Sequence, residues 1–558
     1  MTSARIIAGK INVADYLTKQ VKERPYNKAV ITPEGSDSRG RGLYKSVTFK
    51  QLEGLVDGYA WAFTNAGIQF GDRVLIGTEP GVKLVAITFA LFKMGAVPVF
   101  IDPGMGKDHL LHCVSNVRAR ALIGNFKANI MAYLAKEAFK GVEIFINVDR
   151  FQFGRIKSLY QLPSSDQPFP ITETSDSDKA AILFTSGSTG PAKGVVYTHG
   201  IFSNQIEMIK DAYQITDKDT DMSIFPLFGL FAVSMGMCTV IPDMDTSKPA
   251  QVDPCKILRI MNDHGITFSF GSPTFWRIMA DFCEAQNTQL PMLRAILMAG
   301  CSVPADLHKR FIGGILNADA NIYVPYGATE SLPVCSFTGT EVLDLTEELS
   351  NKGAGTCVGS LVSEFTEVKI LRISDEAIAE WDESLVLKAD EVGEIIVTGP
   401  TVTKAYFDAP EANEKSKIKD GDKIWHRIGD VGYLDQENRL WFCGRKNDRV
   451  QLKEQELYTD QCENIFNTHD EVSRSALVGV DNKGQKEAVI IIEVTEPNKI
   501  KSSEWKQDIT QQLLLLAKKY PTTENIKHIM FKDSFPVDVR HNAKIKREIL
   551  TVWAQEQL

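Results

Sequence analysis

An apolar run ending at Leu183, Phe184 and Thr185 leads into Ser186, Gly187, Ser188, Thr189 and Gly190, and Lys193 closes the stretch. Glycines let backbone N–H groups approach an anion, hydroxyls add donors, and the lysine adds positive charge. This is phosphate-binding chemistry. It is not a Walker A loop, because the Gly-x-x-x-x-Gly-Lys-Ser/Thr spacing is absent. A generic loop of this composition could be a surface turn. Its ordered string, directly after an apolar strand, favours the anion site.

The string resembles the phosphate loop of the adenylate-forming superfamily of acyl-CoA synthetases, luciferases and peptide-synthetase adenylation domains. Further motifs follow in order. Tyr326-Gly327-Ala328-Thr329-Glu330 resembles the aromatic-Gly-x-Thr-Glu element. The resemblance implies that Tyr326 stacks on adenine, Thr329 contacts phosphate and Glu330 holds Mg²⁺. A carboxylate suits that task, since it recruits the hard cation that offsets triphosphate charge. Gly300, Cys301 and Gly327 join the nucleotide site by the same resemblance. Arg427-Ile428-Gly429-Asp430 resembles the motif whose aspartate binds the ribose hydroxyls, and Gly444-Arg445 the element whose arginine also reaches the ribose. His541-Asn542-Ala543-Lys544 resembles the C-terminal motif that carries the catalytic lysine, which falls at Lys544. A compact cation can touch both the carboxylate and the α-phosphate as charge shifts. Lys544, Glu330 and Thr329 are therefore the implied catalytic set, with ATP and Mg²⁺ as cofactors.

Adenylation is half a reaction, and the acyl-AMP needs an acceptor. Acyl-CoA synthetases usually follow the Gly-Arg element with a glycine loop and a Pro-x-Glu stretch. Here no glycine lies between Arg445 and Glu463, and Thr459 and Gln461 replace the proline and glutamate. Phe225-Pro226-Leu227-Phe228-Gly229 has glycine where many synthetases carry histidine. The wording around Ile101–Gly106, Val324–Glu330, Leu440–Arg445 and His541–Lys544 resembles the β-lactone synthetases of bacterial long-chain olefin biosynthesis. That resemblance implies a 2-alkyl-3-hydroxy acid whose own hydroxyl attacks the activated carbonyl. It also implies a thiolase, a reductase and a lactone decarboxylase as pathway partners. An apolar pocket would fold the hydroxyl over the carbonyl and exclude water. Phe228, Gly229 and Met298 are assigned to it, with Phe268, Phe270, Phe275 and Trp276 as further apolar surface. His199 and His264 are candidates for the base by residue type alone. The alternatives are a long-chain acyl-CoA or acyl-AMP ligase, and a non-catalytic acyl- or nucleotide-binding scaffold. The complete set of Lys193, Glu330, Asp430, Arg445 and Lys544 argues against the scaffold.

These residues need a frame. Arg73–Thr78, Ala96–Ile101, Ile144–Val148 and Ala181–Thr185 read as strands, and Lys83–Lys93 as a helix between two of them. This rhythm implies parallel sheet with helices on both faces. Glu367–Ile373 and Glu394–Thr398 suggest a mostly antiparallel unit. Ser475–Val480 and Ala488–Val494 read as strands of a smaller mixed unit, with a helix at Ser503–Lys519. The fold class expected is α/β: stacked βα sheet subdomains plus a β-barrel-like unit in a large N-terminal domain, residues 1–443. A small mobile α+β domain, residues 444–558, would follow and rotate about a hinge near Arg445–Asp448.

The 558 residues exceed one ordinary domain, and 44% hydrophobic with 24% charged residues is ordinary for a globular chain. A net charge of −9 gives no push toward nucleic acid. The nine cysteines form no Cys-x-x-Cys pair, which fits a cytoplasmic protein with reduced thiols. The N-terminus does not read as a signal peptide. The charge-free stretch from Met222 to Pro242 would catch a hydropathy window, but Pro226, Gly229 and Gly236 interrupt it. A buried strand-loop-helix, or a wall of an apolar pocket, fits it better than a membrane span.

Overall fold

The computed structural model describes residues 6–39, 41–150, 152, 154–185, 192–537 and 545–557. Two parallel-rich sheets dominate it. The first runs, in spatial order, Lys157–Ser158, Ile144–Asn147, Ala121–Gly124, Arg73–Gly77, Val97–Ile101, Lys179–Thr185 and Lys193–Thr198. All of its neighbours are parallel except the last pair, an antiparallel hairpin in which Thr185 stands opposite Lys193. The second has fourteen strands. Its parallel part orders Asn321–Ala328, Ala295–Met298, Phe268–Gly271, Thr220–Ser223, Cys238–Val240 and Lys28–Ser36.

Helices Phe49–Ala66, Val82–Met94, His199–Ala212 and Phe228–Met235 supply much of the main core. Val82–Met94 has no polar face. Every residue from Leu84 to Met94 is buried, as expected of a helix apolar all round. Lys83 stands in its first turn, and the buried charge, Lys93, is paired with Glu53 at 2.7 Å and Asp57 at 2.5 Å.

The expected antiparallel unit is present, but its ladder is not a closed barrel among the described residues. Strand Ser331–Thr338 turns back against Asn321–Ala328 and opens an antiparallel edge. Thr356–Leu361, Leu440–Arg445, Lys423–Leu434, Gly393–Thr398 and Glu367–Leu371 extend that edge in sequence of pairing. Each new strand finds an open backbone edge beside it, so the unit continues the large sheet.

After Arg445 comes a smaller unit. Val472–Asn482, Gln485–Val494 and His528–Lys532 form a three-stranded sheet, covered by helices Thr459–Phe466, Ser503–Ala517 and Arg547–Gln557. The stretch Met222–Pro242 is a buried strand, helix and strand. Among the described residues no helix is long and apolar enough to cross a membrane.

Candidate active site

Parallel strands leave their carboxyl ends as the place where loops can gather chemistry. Here the carboxyl ends of both sheets open onto one continuous cleft of about 2210 Å³. Gly77–Pro80 and Ile101–Pro103 reach it from the first sheet, and Ala299–Ser302 and Tyr326–Glu330 from the second. Lys193, Gly300, Cys301, Tyr326, Gly327, Thr329, Glu330, Asp430, Arg445 and Phe228 all line it. Thr185 ends its strand beside the cleft, opposite Lys193. Ser186, Gly187, Ser188, Thr189, Gly190 and Lys544 lie outside the described residues.

Antiparallel register sets Asp430 directly opposite Arg445, so the two side chains form a cross-strand pair. Arg445 Nη1 lies 2.7 Å from Asp430 Oδ1. Tyr326 Oη donates to Asp430 Oδ2 at 2.8 Å. The carboxylate beside it holds the Arg445 guanidinium still more firmly protonated. Burial and the same carboxylate push the Tyr326 phenol well up. Gly327 has φ 157°, and a Cβ there would meet Ser331 O at 2.4 Å. Only glycine admits so close an approach between the two strands.

A second cluster surrounds Glu330. Tyr406 Oη donates to Glu330 Oε1 at 2.6 Å. The Lys193 ammonium lies 5.1 Å and the Lys417 ammonium 5.6 Å from the Tyr406 ring centroid. Lys417 Nζ donates to Thr403 O, and Thr403 N–H donates to Glu330 O at 2.8 Å. Burial pulls Lys417 down to about 7. Tyr197 Oη donates to Thr329 O at 2.5 Å, which fixes the backbone between Thr329 and Glu330. Sequence reasoning missed Tyr197, Tyr406 and Lys417. No local spacing marks them, since Tyr406 and Glu330 stand 76 residues apart.

Among the described residues no three His, Cys, Asp or Glu side chains gather to hold a metal. Glu330 lines the cleft, held by Tyr406, whose ring has Lys193 and Lys417 against it. Mg²⁺ typically takes one or two carboxylates and completes its shell with phosphate oxygens and water. The donor set therefore fits Mg²⁺ carried on a nucleotide and does not fit a protein-caged ion.

The apolar end is built by Phe225, Phe228, Leu230, Phe231, Phe270 and Leu297. Phe228 and Phe270 meet edge to face at 5.2 Å, and Phe225 and Phe270 at 4.9 Å. Two assignments change here. Gly229 does not line the cleft. One helical step of about 100° turns it from the Phe228 face toward the sheet, where a Cβ would meet Ser223 Oγ at 3.4 Å and Thr239 Oγ1 at 3.5 Å. Met298 does not line it either. Side chains alternate along a strand, so Leu297 faces the cleft and Met298 lies fully buried in the core on the other side. Phe275 and Trp276 belong to that same core, and Phe268 backs Phe228 from within. His199 and His264 also stand away from the cleft. His199 Nδ1 accepts from Val13 N–H at 3.1 Å, and burial pushes the ring down to about 4. His264 packs edge-on against Tyr44 at 4.2 Å. Among the described residues, the histidines lining the cleft are His112 and His308.

Below Arg445 the chain crosses into the smaller unit. Val450–Gln451 pairs with Glu456–Leu457, and Leu452 N–H donates to Gln455 O at 2.8 Å. No residue from Lys446 to Glu463 adopts positive φ, so this turn closes without glycine. Gly444 has φ 143°, and a Cβ there would meet Thr459 Oγ1 at 2.3 Å. Thr356 Oγ1 donates to Asp460 Oδ1 at 3.0 Å and ties the two units together. At the C-terminal end, Ile545 bridges to Val537, and Arg547 Nη2 donates to Glu463 Oε2 at 2.8 Å. Arg547 Nε also lies 3.7 Å from Asp448 Oδ2. The residues just after Lys544 are thus anchored beside the segment Arg445–Asp448.

A model of the AMP-binding enzyme family matches residues 17–407, a span that includes Thr185–Lys193, Tyr326–Glu330 and Tyr406. The chain belongs to the AMP-binding enzymes. This AMP-binding enzyme is 39% identical over 553 residues to an olefin beta-lactone synthetase of Xanthomonas campestris pv. campestris, covering 98% of each chain. A second olefin beta-lactone synthetase, of Stenotrophomonas maltophilia, is 38% identical over 557 residues, again with 98% of each chain covered. Among solved structures, the amide bond synthetase of Marinactinospora thermotolerans superposes with a TM-score of 0.77 at 19% identity, covering 97% of this chain and 99% of that one. The O-succinylbenzoate coenzyme A synthetase of Bacillus subtilis, solved with AMP, gives 0.75 at 20% identity over 97% and 98%. At those identities the superpositions establish the fold.

Proposed function

We propose that this AMP-binding enzyme is an ATP-dependent β-lactone synthetase acting on a 2-alkyl-3-hydroxy long-chain acid. The observation that carries the reading is full-length similarity, at 38 and 39% identity, to two olefin beta-lactone synthetases. The cleft supports it, with a cationic and carboxylate-bearing end at Lys193, Glu330 and Arg445 and an aromatic end at Phe225, Phe228 and Phe270.

In the first step a carboxylate oxygen of the acid attacks the α-phosphorus of ATP, and pyrophosphate leaves. Lys193 and Lys544 steady the phosphates, and Tyr326, Asp430 and Arg445 seat adenosine. Mg²⁺ held at Glu330 would neutralise triphosphate charge; Tyr406 fixes the orientation of that carboxylate. In the second step the 3-hydroxyl oxygen attacks the acyl carbonyl and releases its proton. The bond from the acyl carbon to the oxygen bridging to phosphorus breaks, AMP leaves with that oxygen and the electron pair, and the lactone ring closes. Phe225, Phe228, Phe231 and Phe270 exclude water while the hydroxyl folds over the carbonyl. Residues 1–443 hold the substrates, and residues 444–558 act as a lid turning near Arg445–Asp448, bringing Lys544 to the phosphates for the first step.

Oxygen labelling tests the route. With ¹⁸O in both carboxylate positions, AMP should carry one label and the lactone carbonyl the other, with the ring oxygen unlabelled. Unlabelled AMP would rule out an acyl-adenylate. An open hydroxy acid as sole product, with labelled AMP, would rule out ring closure.

A further inference from the structure

Helix Phe126–Leu134 has three faces. Asn129 and Ala132 are buried in the fold. Lys127, Ala128 and Met131 line the cleft. The remaining stripe is apolar and solvent-exposed: Phe126, Ile130, Tyr133 and Leu134 are 48%, 40%, 59% and 77% exposed. Their spacing of four, three and one residues is that of one helix face. Single exposed apolar residues are ordinary, but a contiguous stripe marks an interaction site.

The charge around it differs from the rest of the molecule. The chain carries −9 overall, yet 126–140 holds Lys127, Lys136 and Lys140 against Glu137 alone. The Lys136 ammonium lies 4.8 Å from the Tyr133 ring centroid. Beside the helix start, where Phe126 N–H donates to Asp149 Oδ2 at 3.0 Å, Lys83 and Arg150 each stand 5.7 Å from the ring of exposed Tyr160. The cleft reaches solvent here, because Glu79, His112, Asn116 and Lys127 both line it and are exposed.

We propose that this face docks on the anionic surface of a phospholipid membrane. Ile130, Tyr133 and Leu134 enter the headgroup layer, and the lysines pair with lipid phosphates. Lipid fits better than a second copy of the same face, because a two-fold contact would set lysines against lysines. Docking places the mouth of the cleft at the level of the lipid, so a long apolar acid passes into it without crossing water. That delivery step rests on the long-chain reading above; the docking itself does not.

The full chain, without substrate, is sedimented with vesicles of phosphatidylglycerol and phosphatidylcholine, and with phosphatidylcholine alone. The expected result is about tenfold stronger binding to the anionic vesicles, weakening as salt screens the lysines. I130E/L134E should lose that binding, and K136E/K140E should weaken it, with melting midpoint and turnover of a short soluble 3-hydroxy acid unchanged. If I130E/L134E lowers the melting midpoint, the lysine pair decides. The proposal is overturned if wild type does not distinguish the two vesicles, or if both variants bind like wild type. It also fails if wild type ignores vesicles but is a dimer that I130E/L134E converts to monomer, since the face then belongs to a second copy. Vesicle binding without lactone formation would leave the docking intact and count against the substrate reading alone.

Discussion

Around Glu330 the decisive contacts are few and short. Tyr406→Phe deletes one hydrogen bond of 2.6 Å to a carboxylate while keeping the ring under both lysines. A bond to a charged group contributes about 1.5–3 kcal/mol. The variant should therefore lose about tenfold or more in kcat/KM for Mg·ATP with little change in folding, as steady-state kinetics would read. Asp430→Ala is a different case. It leaves Tyr326 and Arg445 without their shared carboxylate, so denaturant unfolding should show a loss of about 3 kcal/mol along with lost nucleotide binding. Lys417 offers a pH test. Its folded value of about 7 lies below its ordinary 10.5, so between those values the folded protein binds fewer protons than the unfolded chain. Stability from this group then rises with pH across that window and is flat below it. Lys417→Met should remove the rise, seen as the wild-type melting midpoint climbing relative to that of the variant from pH 7 to 10. The residues proposed to touch nucleotide were legible as candidates because they cluster in short ordered strings such as Tyr326–Glu330. Tyr197, Tyr406 and Lys417 were not, because they support those strings from strands and loops far away in sequence.

Strands and helices decided which neighbours of a legible residue share its role. The sequence places Phe228 and Gly229 side by side, but helix geometry sends one to the cleft and the other to the sheet beneath. The same alternation separates Leu297 from Met298. Element boundaries, by contrast, were readable to within a few residues, because apolar runs such as Arg73–Gly77 and Val97–Ile101 are bounded by glycine, proline and charge. The antiparallel edge was readable as strands but not as a continuation of the large sheet, since pairing partners such as Thr356–Leu361 and Leu440–Arg445 lie far apart. One junction is exacting. Gly444→Ala would drive a Cβ to 2.3 Å from Thr459 Oγ1, where overpacking typically costs about 1–3 kcal/mol. The expected outcome is a lowered melting midpoint, recovered in part by adding Thr459→Ala, which removes the hydroxyl it meets.

At the scale of the molecule, the cleft joins a charged end that suits nucleotide to an aromatic end that suits an apolar acid, with the smaller unit seated across Arg445 through Thr356 and Asp460. Lys544→Ala should abolish pyrophosphate release from ATP and acid, measured by a coupled phosphate assay, while leaving ATP binding within a few-fold. The turn after Arg445 closes without glycine and without a positive φ. The central claim is that the acceptor lies inside the substrate. Its most direct test is product analysis by mass spectrometry after incubating the purified protein with ATP, Mg²⁺ and a 2-alkyl-3-hydroxy acid in the absence of coenzyme A. The expected result is β-lactone, AMP and pyrophosphate in equal amounts, unchanged when coenzyme A is added. No turnover until coenzyme A is supplied, followed by a thioester product, would contradict it.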